Sequence, residues 1–268
     1  MTTVCLTFDF DAVSIWLSTF KQTTPTPLSR GEYGARAGLP RILAMLARQS
    51  VKATFFTPAH TARTFPDAVK AIVEGGHEIG VHGLVHESPV GLPLEEERAM
   101  LQKSIKSLQD ITGKRPVGYR SPAWDLSDNT IALLEEFGLH YDSSLMSQDF
   151  HPFFARQGDV MTEEVLSFGK ESSILEFPVA WELDDYPYFH FAARPINQGL
   201  RLTEDVRSLW QAEFDAAHEE NGVFTLTCHP EIIGRAPRVK MLENLVEHMR
   251  SQDGVKFATM ADACKALK

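Results

Sequence analysis

Short runs rich in β-branched and aromatic residues alternate with helical stretches along the whole chain, the pattern of a parallel sheet covered by helices. Strands are predicted at 4–10, 51–56, 78–81, 117–119, 140–142, 174–179, 223–228 and 256–259. Between them, apolar spacing predicts helices over 39–48, 67–75, 93–113, 128–138, 204–221 and 238–252, several running into Gly or Asn, common helix stops. Seven or eight β/α units result, a number that suggests a closed (β/α)-barrel rather than an open doubly wound sheet. One such barrel, of roughly 200–250 residues, accounts for most of the chain, so residues 1–268 are expected to form a single α/β domain. Two segments break the rhythm: 14–38, with Pro25 and Pro27, and 147–169, rich in Phe, Gly and polar residues. Loops this long in a compact domain serve as lids, binding loops or subunit contacts.

Charge narrows the partners. With 26 Lys and Arg against 36 Asp and Glu, the net charge of -10 repels phosphate backbones, so no nucleic acid partner is expected. No stretch approaches about 18 consecutive apolar residues. Met1-Thr2-Thr3 leads into Val4-Cys5-Leu6 without a basic n-region, so the expectation is a cytoplasmic protein with no membrane partner. Cys5, Cys228 and Cys264 are too few and too scattered for a disulfide framework and are expected as free, buried thiols.

Reactive groups of an α/β barrel sit at the C-terminal ends of its strands. The first strand ends in Thr7-Phe8-Asp9-Phe10-Asp11, and a regular continuation points both carboxylates to one face. Two like charges that close resist joint ionisation unless a cation or an Arg offsets them. The third strand runs into His82-Gly83-Leu84-Val85-His86, where an i, i+4 pair on a helical turn places both imidazoles on one side. The fourth leads to Arg120-Ser121-Pro122, with Pro122 stopping the strand and Arg120 able to hold a carboxylate such as Asp9 through its planar fork. The last strong strand ends in Cys228-His229-Pro230. Taken singly, these read equally as a solvated strand end, a structural His pair, a surface Arg and a structural His. Together they fall at the ends of separate strands, where one Asp and two His make a three-ligand metal site and a second Asp and a third His remain for proton transfer. Trp124, Trp181, Tyr186, Tyr188 and Phe189 are candidates for pocket lining or core. Asp184-Asp185 reads as a polar turn unless it caps the site, and Glu32 and Tyr33 as exposed residues or contacts to a neighbouring site or subunit.

The ordered set Thr7–Asp11, His82–His86, Arg120–Trp124 and Leu226–His229 resembles the polysaccharide deacetylase superfamily of carbohydrate esterases over nearly the whole chain. The resemblance implies a distorted (β/α)-barrel, with Asp9 as catalytic base, Arg120 as the residue orienting it and His229 as general acid. It implies Asp11, His82 and His86 as ligands of a divalent metal ion, zinc first. Two positions depart from the usual pattern: Phe10 separates aspartates that are normally adjacent, and Gly83 stands in place of Ser. With Ser29–Gly34 and Trp181–Phe189, the chain is similar to a branch of metal-independent allantoinases, cyclic imide hydrolases and peptidoglycan deacetylase-like proteins, which implies a homo-oligomer, tetramer or dimer. The expected activity is hydrolysis of a non-peptide amide bond in a small-molecule substrate. A cyclic amide or imide stands first, an N-acetyl sugar or peptidoglycan is the alternative, and a binding or assembly protein without turnover is third.

Overall fold

A computed structural model describes residues 1–192 and 199–268. In chain order its strands are β1 (Thr2–Asp9), β2 (Thr54–Thr57), β3 (Glu78–Val81), β4 (Gly118–Tyr119), β5 (Tyr141–Asp142) and β6 (Phe153–Gln157). They continue as β7 (Val160–Met161), β8 (Leu166–Ser167), β9 (Lys170–Glu176), β10 (Val223–Cys228) and β11 (Val255–Phe257). Successive residues of β1 are buried on both faces, as in a parallel strand sandwiched between other layers. The sheet runs β10-β1-β2-β3-β4-β5-β9 with every pair parallel, and β11 lies parallel to the start of β1. These are the predicted strands, shifted by a few residues at their ends.

The barrel is distorted at one seam. β9 pairs on its outer side with antiparallel β6, and a single parallel pair, Asp184 with Thr227, links the chain after β9 to β10. Pro178 and Pro187 in this stretch cannot donate to a ladder, so no regular stave forms there. The result is one α/β domain built on a curled, mostly parallel sheet. Helices cover it with residues at helical spacing: Leu39, Ile42, Met45 and Leu46 from Leu39–Arg48, and Val206, Trp210, Phe214 and Ala217 from Thr203–Glu219.

Both segments expected as loops carry structure. Residues 153–167 contain β6 and the β7–β8 hairpin. In 14–38, helices Val13–Ser18 and Pro25–Tyr33 lead through a wide turn, Gly34–Gly38, into Leu39–Arg48. Pro25 starts the second helix at a position that needs no N–H donor. Glycines that suggest a loop are packing devices here: a Cβ on Gly38 would lie 2.0 Å from the Pro230 carbonyl oxygen, and one on Gly31 would lie 2.6 Å from that of Ala12. The segment is thereby docked against the chain leaving β1 and β10. Among the described residues no helix is long and apolar enough to cross a membrane. All three cysteines are free and buried.

Candidate active site

Alternation along β1 sends Phe10 into the core and leaves Asp9 and Asp11 on the same side. Phe10 N–H donates to the Phe56 carbonyl at 2.8 Å, which keeps the chain extended past the strand end, and Ala12 then turns it with φ 48°. The inserted Phe10 therefore does not disperse the two carboxylates. Both face His82, whose Nε2 lies 3.8 Å from Asp9 Oδ2 and 3.4 Å from Asp11 Oδ1.

His82 and His86 do meet, with ring centroids 5.0 Å apart, but no helical turn brings them together. The chain after β3 reverses through two left-handed residues, Gly83 at φ 73° and His86 at φ 67°. That conformation favours glycine, and Gly83 supplies it. His86 adopts it as a non-glycine residue, a local strain characteristic of functional sites. His82 Nδ1 donates to the Arg120 carbonyl at 2.8 Å, and His86 Nδ1 pairs with Thr19 Oγ1 at 2.7 Å. The Nε2 atoms are left to converge on Asp11, at 3.4 Å for His82 and 3.3 Å for His86.

Arg120 is fully buried and organises the groups around Asp9. Its Nη1 donates to Asp9 Oδ1 and to Thr7 Oγ1, each at 2.8 Å, while Nε and Nη2 donate to the Ser143 carbonyl and hydroxyl at 3.0 and 2.8 Å. The guanidinium thus holds Asp9 at one point rather than through both prongs, because Ser143 occupies the other edge of the fork. Asp9 Oδ2 faces the cavity.

His229, at the end of β10, is gripped by acids that read from sequence as a polar turn. Asp184 and Asp185 are buried at the seam, and Asp185 accepts from the His229 N–H at 3.0 Å and pairs with Nδ1 at 2.7 Å. Burial opposes a charge on His229, yet Asp184, Asp185 and Asp11 outweigh it and raise the imidazole well above its ordinary pKa. Burial pushes Asp184 up to about 7 and also raises Asp185. The signal that could have exposed this pair is its position between Leu183, an apolar residue, and the short helix Tyr186–Phe189, on a stretch that must cross the barrel mouth.

Asp9, Asp11, His82, His86 and His229 line a cavity of about 130 Å³, completed by Trp124, Trp181 and Tyr186. Trp124 and Trp181 lie against each other at 4.4 Å on its rim, their planes tilted by 33°, with Trp181 47% exposed. Phe189 belongs to the core instead, and Tyr188 turns outward to the Glu182 carbonyl. Glu32 is exposed beside Arg36, whereas Tyr33 donates to the Gly234 carbonyl. Burial drives the Cys228 thiol well up, which suits a core residue rather than a nucleophile.

Asp11 supplies the test of whether a cation fits. Both its oxygens are buried and neither accepts a hydrogen bond. A carbonyl can only accept, so His82 carries its proton on Nδ1 and the neutral ring turns the Nε2 lone pair toward Asp11. Lone pair facing carboxylate is repulsive unless a positive charge lies between them. Ligand atoms of Asp11, His82 and His86 lie within 4.8 Å of one another, an O,N,N set that suits a borderline divalent metal and leaves positions open. The second-sphere bond from His82 to a backbone carbonyl is the usual orienting device for such ligands.

Comparison with known proteins agrees with this geometry. Residues 2–141 match the family model described as polysaccharide deacetylase. The chain is 35% identical over 266 residues to the peptidoglycan deacetylase of Helicobacter pylori, covering 94% of this chain and 91% of that protein. The crystal structure of a candidate polysaccharide deacetylase from Mycobacterium smegmatis superposes with TM-score 0.89 at 36% identity, over 99% of this chain and 89% of that one. An allantoinase structure superposes with TM-score 0.79 over 98% of this chain and 89% of that one; at 24% identity this likeness concerns the fold alone.

Proposed function

Because this chain belongs to the polysaccharide deacetylase family, a family of carbon–nitrogen hydrolases, we propose that it removes the acetyl group from an N-acetylated amino sugar, releasing acetate and a free amine. The observation that carries the reading is the cluster around Asp11, whose two unpartnered oxygens and two facing imidazoles accompany a separate Asp/Arg pair and a separate His. Asp11, His82 and His86 would hold a divalent ion, zinc first, which when bound polarises the amide carbonyl and acidifies water.

Asp9, fixed by Arg120, accepts the proton of the attacking water through Oδ2. His229, kept as imidazolium by its acid neighbours, gives a proton to the departing nitrogen, which would otherwise leave as an amide anion. A cavity of about 130 Å³ is below the roughly 300–1,000 Å³ of sites that enclose whole drug-sized ligands, so it suits an acyl group with the sugar outside. The exposed Trp181 face at the rim offers an apolar surface to the C–H face of a pyranose.

The relative named peptidoglycan deacetylase supports the sugar amide over the cyclic amide or imide expected first from sequence, since the allantoinase shares the fold alone. A homo-oligomer, dimer or tetramer, belongs to the same proposal and is checked by light scattering. The deciding assay is acetate release from N-acetylglucosamine oligomers beside succinimide, hydantoin and allantoin, with bound metal measured on the same samples. Acetate release that disappears on exhaustive chelation is expected. Ring opening without acetate release would restore the cyclic amide, and full activity after chelation would remove the metal.

A further inference from the structure

The segments 29–34 and 181–189, the second of which also carries the acids that grip His229, meet at a second cavity, of about 230 Å³, that shares Tyr186 with the catalytic one. Arg30 comes from the first segment, while Arg235 and Arg238 reach the same cavity from the chain after β10. Their guanidinium groups lie over aromatic rings: Arg30 over Trp16 at 4.7 Å, Arg235 over Tyr33 at 3.7 Å and Arg238 over Phe189 at 4.5 Å. Lying over a ring leaves the N–H edges of a guanidinium free to donate. Arg238 uses one Nη1 bond on the Ile232 carbonyl, and none of the three forms an ion pair with a carboxylate of the described residues.

A second, independent feature points the same way. His190 lines the cavity at 2% exposure, held between the rings of Phe20 and Tyr186 at 5.5 and 4.2 Å, and neither ring nitrogen has a hydrogen-bond partner. A buried donor left unpaired is costly unless a ligand completes it. Glu231 also lines the cavity with both oxygens unpartnered. Three guanidiniums against that one carboxyl leave a positive excess, in a chain whose net charge is -10.

We propose that this cavity binds an oxyanion, a carboxylate or phosphate carried by the substrate itself, so that the enzyme selects N-acetyl amino sugars bearing an acidic substituent. The inference rests on the deacetylase reading for the reacting end of the molecule. Planar guanidinium forks match carboxylate and phosphate geometry, and His190 supplies a further ring N–H. Tyr186, whose ring is 4.9 Å from that of His229, lines both cavities, so the proposed oxyanion site adjoins the reacting end.

The test uses the full chain and the variants Arg30→Ala and Arg235→Ala, each checked for folding by circular dichroism. In calorimetric titration with inorganic phosphate, the wild type should bind and each variant should bind at least about tenfold more weakly, the loss of one charge-assisted hydrogen bond. No binding, or equal affinity in all three proteins, overturns the pocket. In the second arm, kcat/KM is compared for N-acetyl amino sugar oligomers with and without a carboxylate. The wild-type ratio should favour the acidic substrate by about tenfold and fall toward one in both variants. A wild-type ratio near one, with phosphate binding lost in the variants, would place a separate anion there and overturn the substrate assignment. Failure of the wild type to release acetate from either oligomer would overturn the deacetylase reading and the substrate class with it, while the phosphate titration still decides the pocket.

Discussion

Two pairs of buried carboxyls flank Arg120 and meet opposite fates. Asp9 and Asp11 stand at the end of β1, surrounded by Arg120 and three imidazoles. Asp142 and Glu176 sit in register on β5 and β9, on the other side of Ser143. In the second pair, Asp142 Oδ1 accepts from Ser144 Oγ at 2.8 Å, and Glu176 Oε1 accepts from the N–H groups of Ser144 and Leu145 at 2.7 and 2.9 Å. Their remaining oxygens, Asp142 Oδ2 and Glu176 Oε2, meet no other donor. Burial pushes Asp142 up to about 6 and Glu176 well above the usual carboxylate range, so the pair holds a proton. Burial acts on Asp11 in the same direction, but positive charge on the neighbouring imidazoles, His86 foremost and His229 with it, overcomes it and holds Asp11 well below that range. Equal burial thus gives a charged cluster poised to hold a cation in one place and a protonated structural pair in the other. The neighbouring groups, not the depth, decide which.

The largest effect should come from removing one of the groups proposed to transfer protons on the charged side. Asp9→Asn and His229→Ala should each lower turnover by about 10²–10⁴ with the fold retained, whereas Asp142→Asn should leave the acetate-release rate within about tenfold of wild type. Initial rates with near-ultraviolet circular dichroism check this. Equal losses at Asp9 and Asp142 would erase the distinction between the two pairs.

Arg120 joins the two sides, so its replacement should have an intermediate effect. Arg120→Lys retains the charge but cannot serve Asp9, Thr7 and both Ser143 atoms at once, and turnover should fall about 10–100-fold, the value of one charge-assisted hydrogen bond of about 1.5–3 kcal/mol. Kinetics and thermal melting would separate lost positioning from lost fold. A wild-type rate in the lysine variant would show that the fork's geometry is irrelevant to the base.

These contrasts also mark what a sequence can disclose. Asp9, Asp11, His82, His86, Arg120 and His229 were legible because each follows a strand whose period is visible, and strand ends converge in a barrel. Their local geometry was less so: His82 and His86 have helical spacing but meet through two left-handed residues, which spacing alone does not encode. Asp184 and Asp185 were hidden because a pair of acids in irregular chain normally faces water, and only the incomplete seam beside Thr227 buries them. The helices in 14–38 were masked by Pro25, Gly31, Gly34 and Gly38, residues that usually end helices but here allow close packing on Ala12, Glu231 and Pro230. Long-range contact, not local preference, determined those elements.

The smallest effect, on stability rather than rate, concerns the proton held by Asp142 and Glu176. Unfolded Asp and Glu titrate near about 3.9 and 4.3, so between those values and the raised native ones the folded chain binds protons that the unfolded chain has released. Stability from this pair is therefore fully present below the unfolded values and is lost as pH rises through the native value of about 6 for Asp142, with Glu176 extending the loss upward. Glu176→Gln replaces the shared proton by a permanent amide donor to Asp142 and removes the share of this dependence that Glu176 carries. Urea melts at pH 5 and pH 8 should show the wild type losing on the order of 1–2 kcal/mol more than the variant between those values, a fraction of the about 4 kcal/mol that one proton allows over three pH units. Groups of the catalytic cluster titrate in both proteins and cancel in the difference. Identical pH profiles would mean that Glu176 is ionised in the folded chain, and the contrast with Asp9 and Asp11 would then have to rest on hydrogen bonding alone.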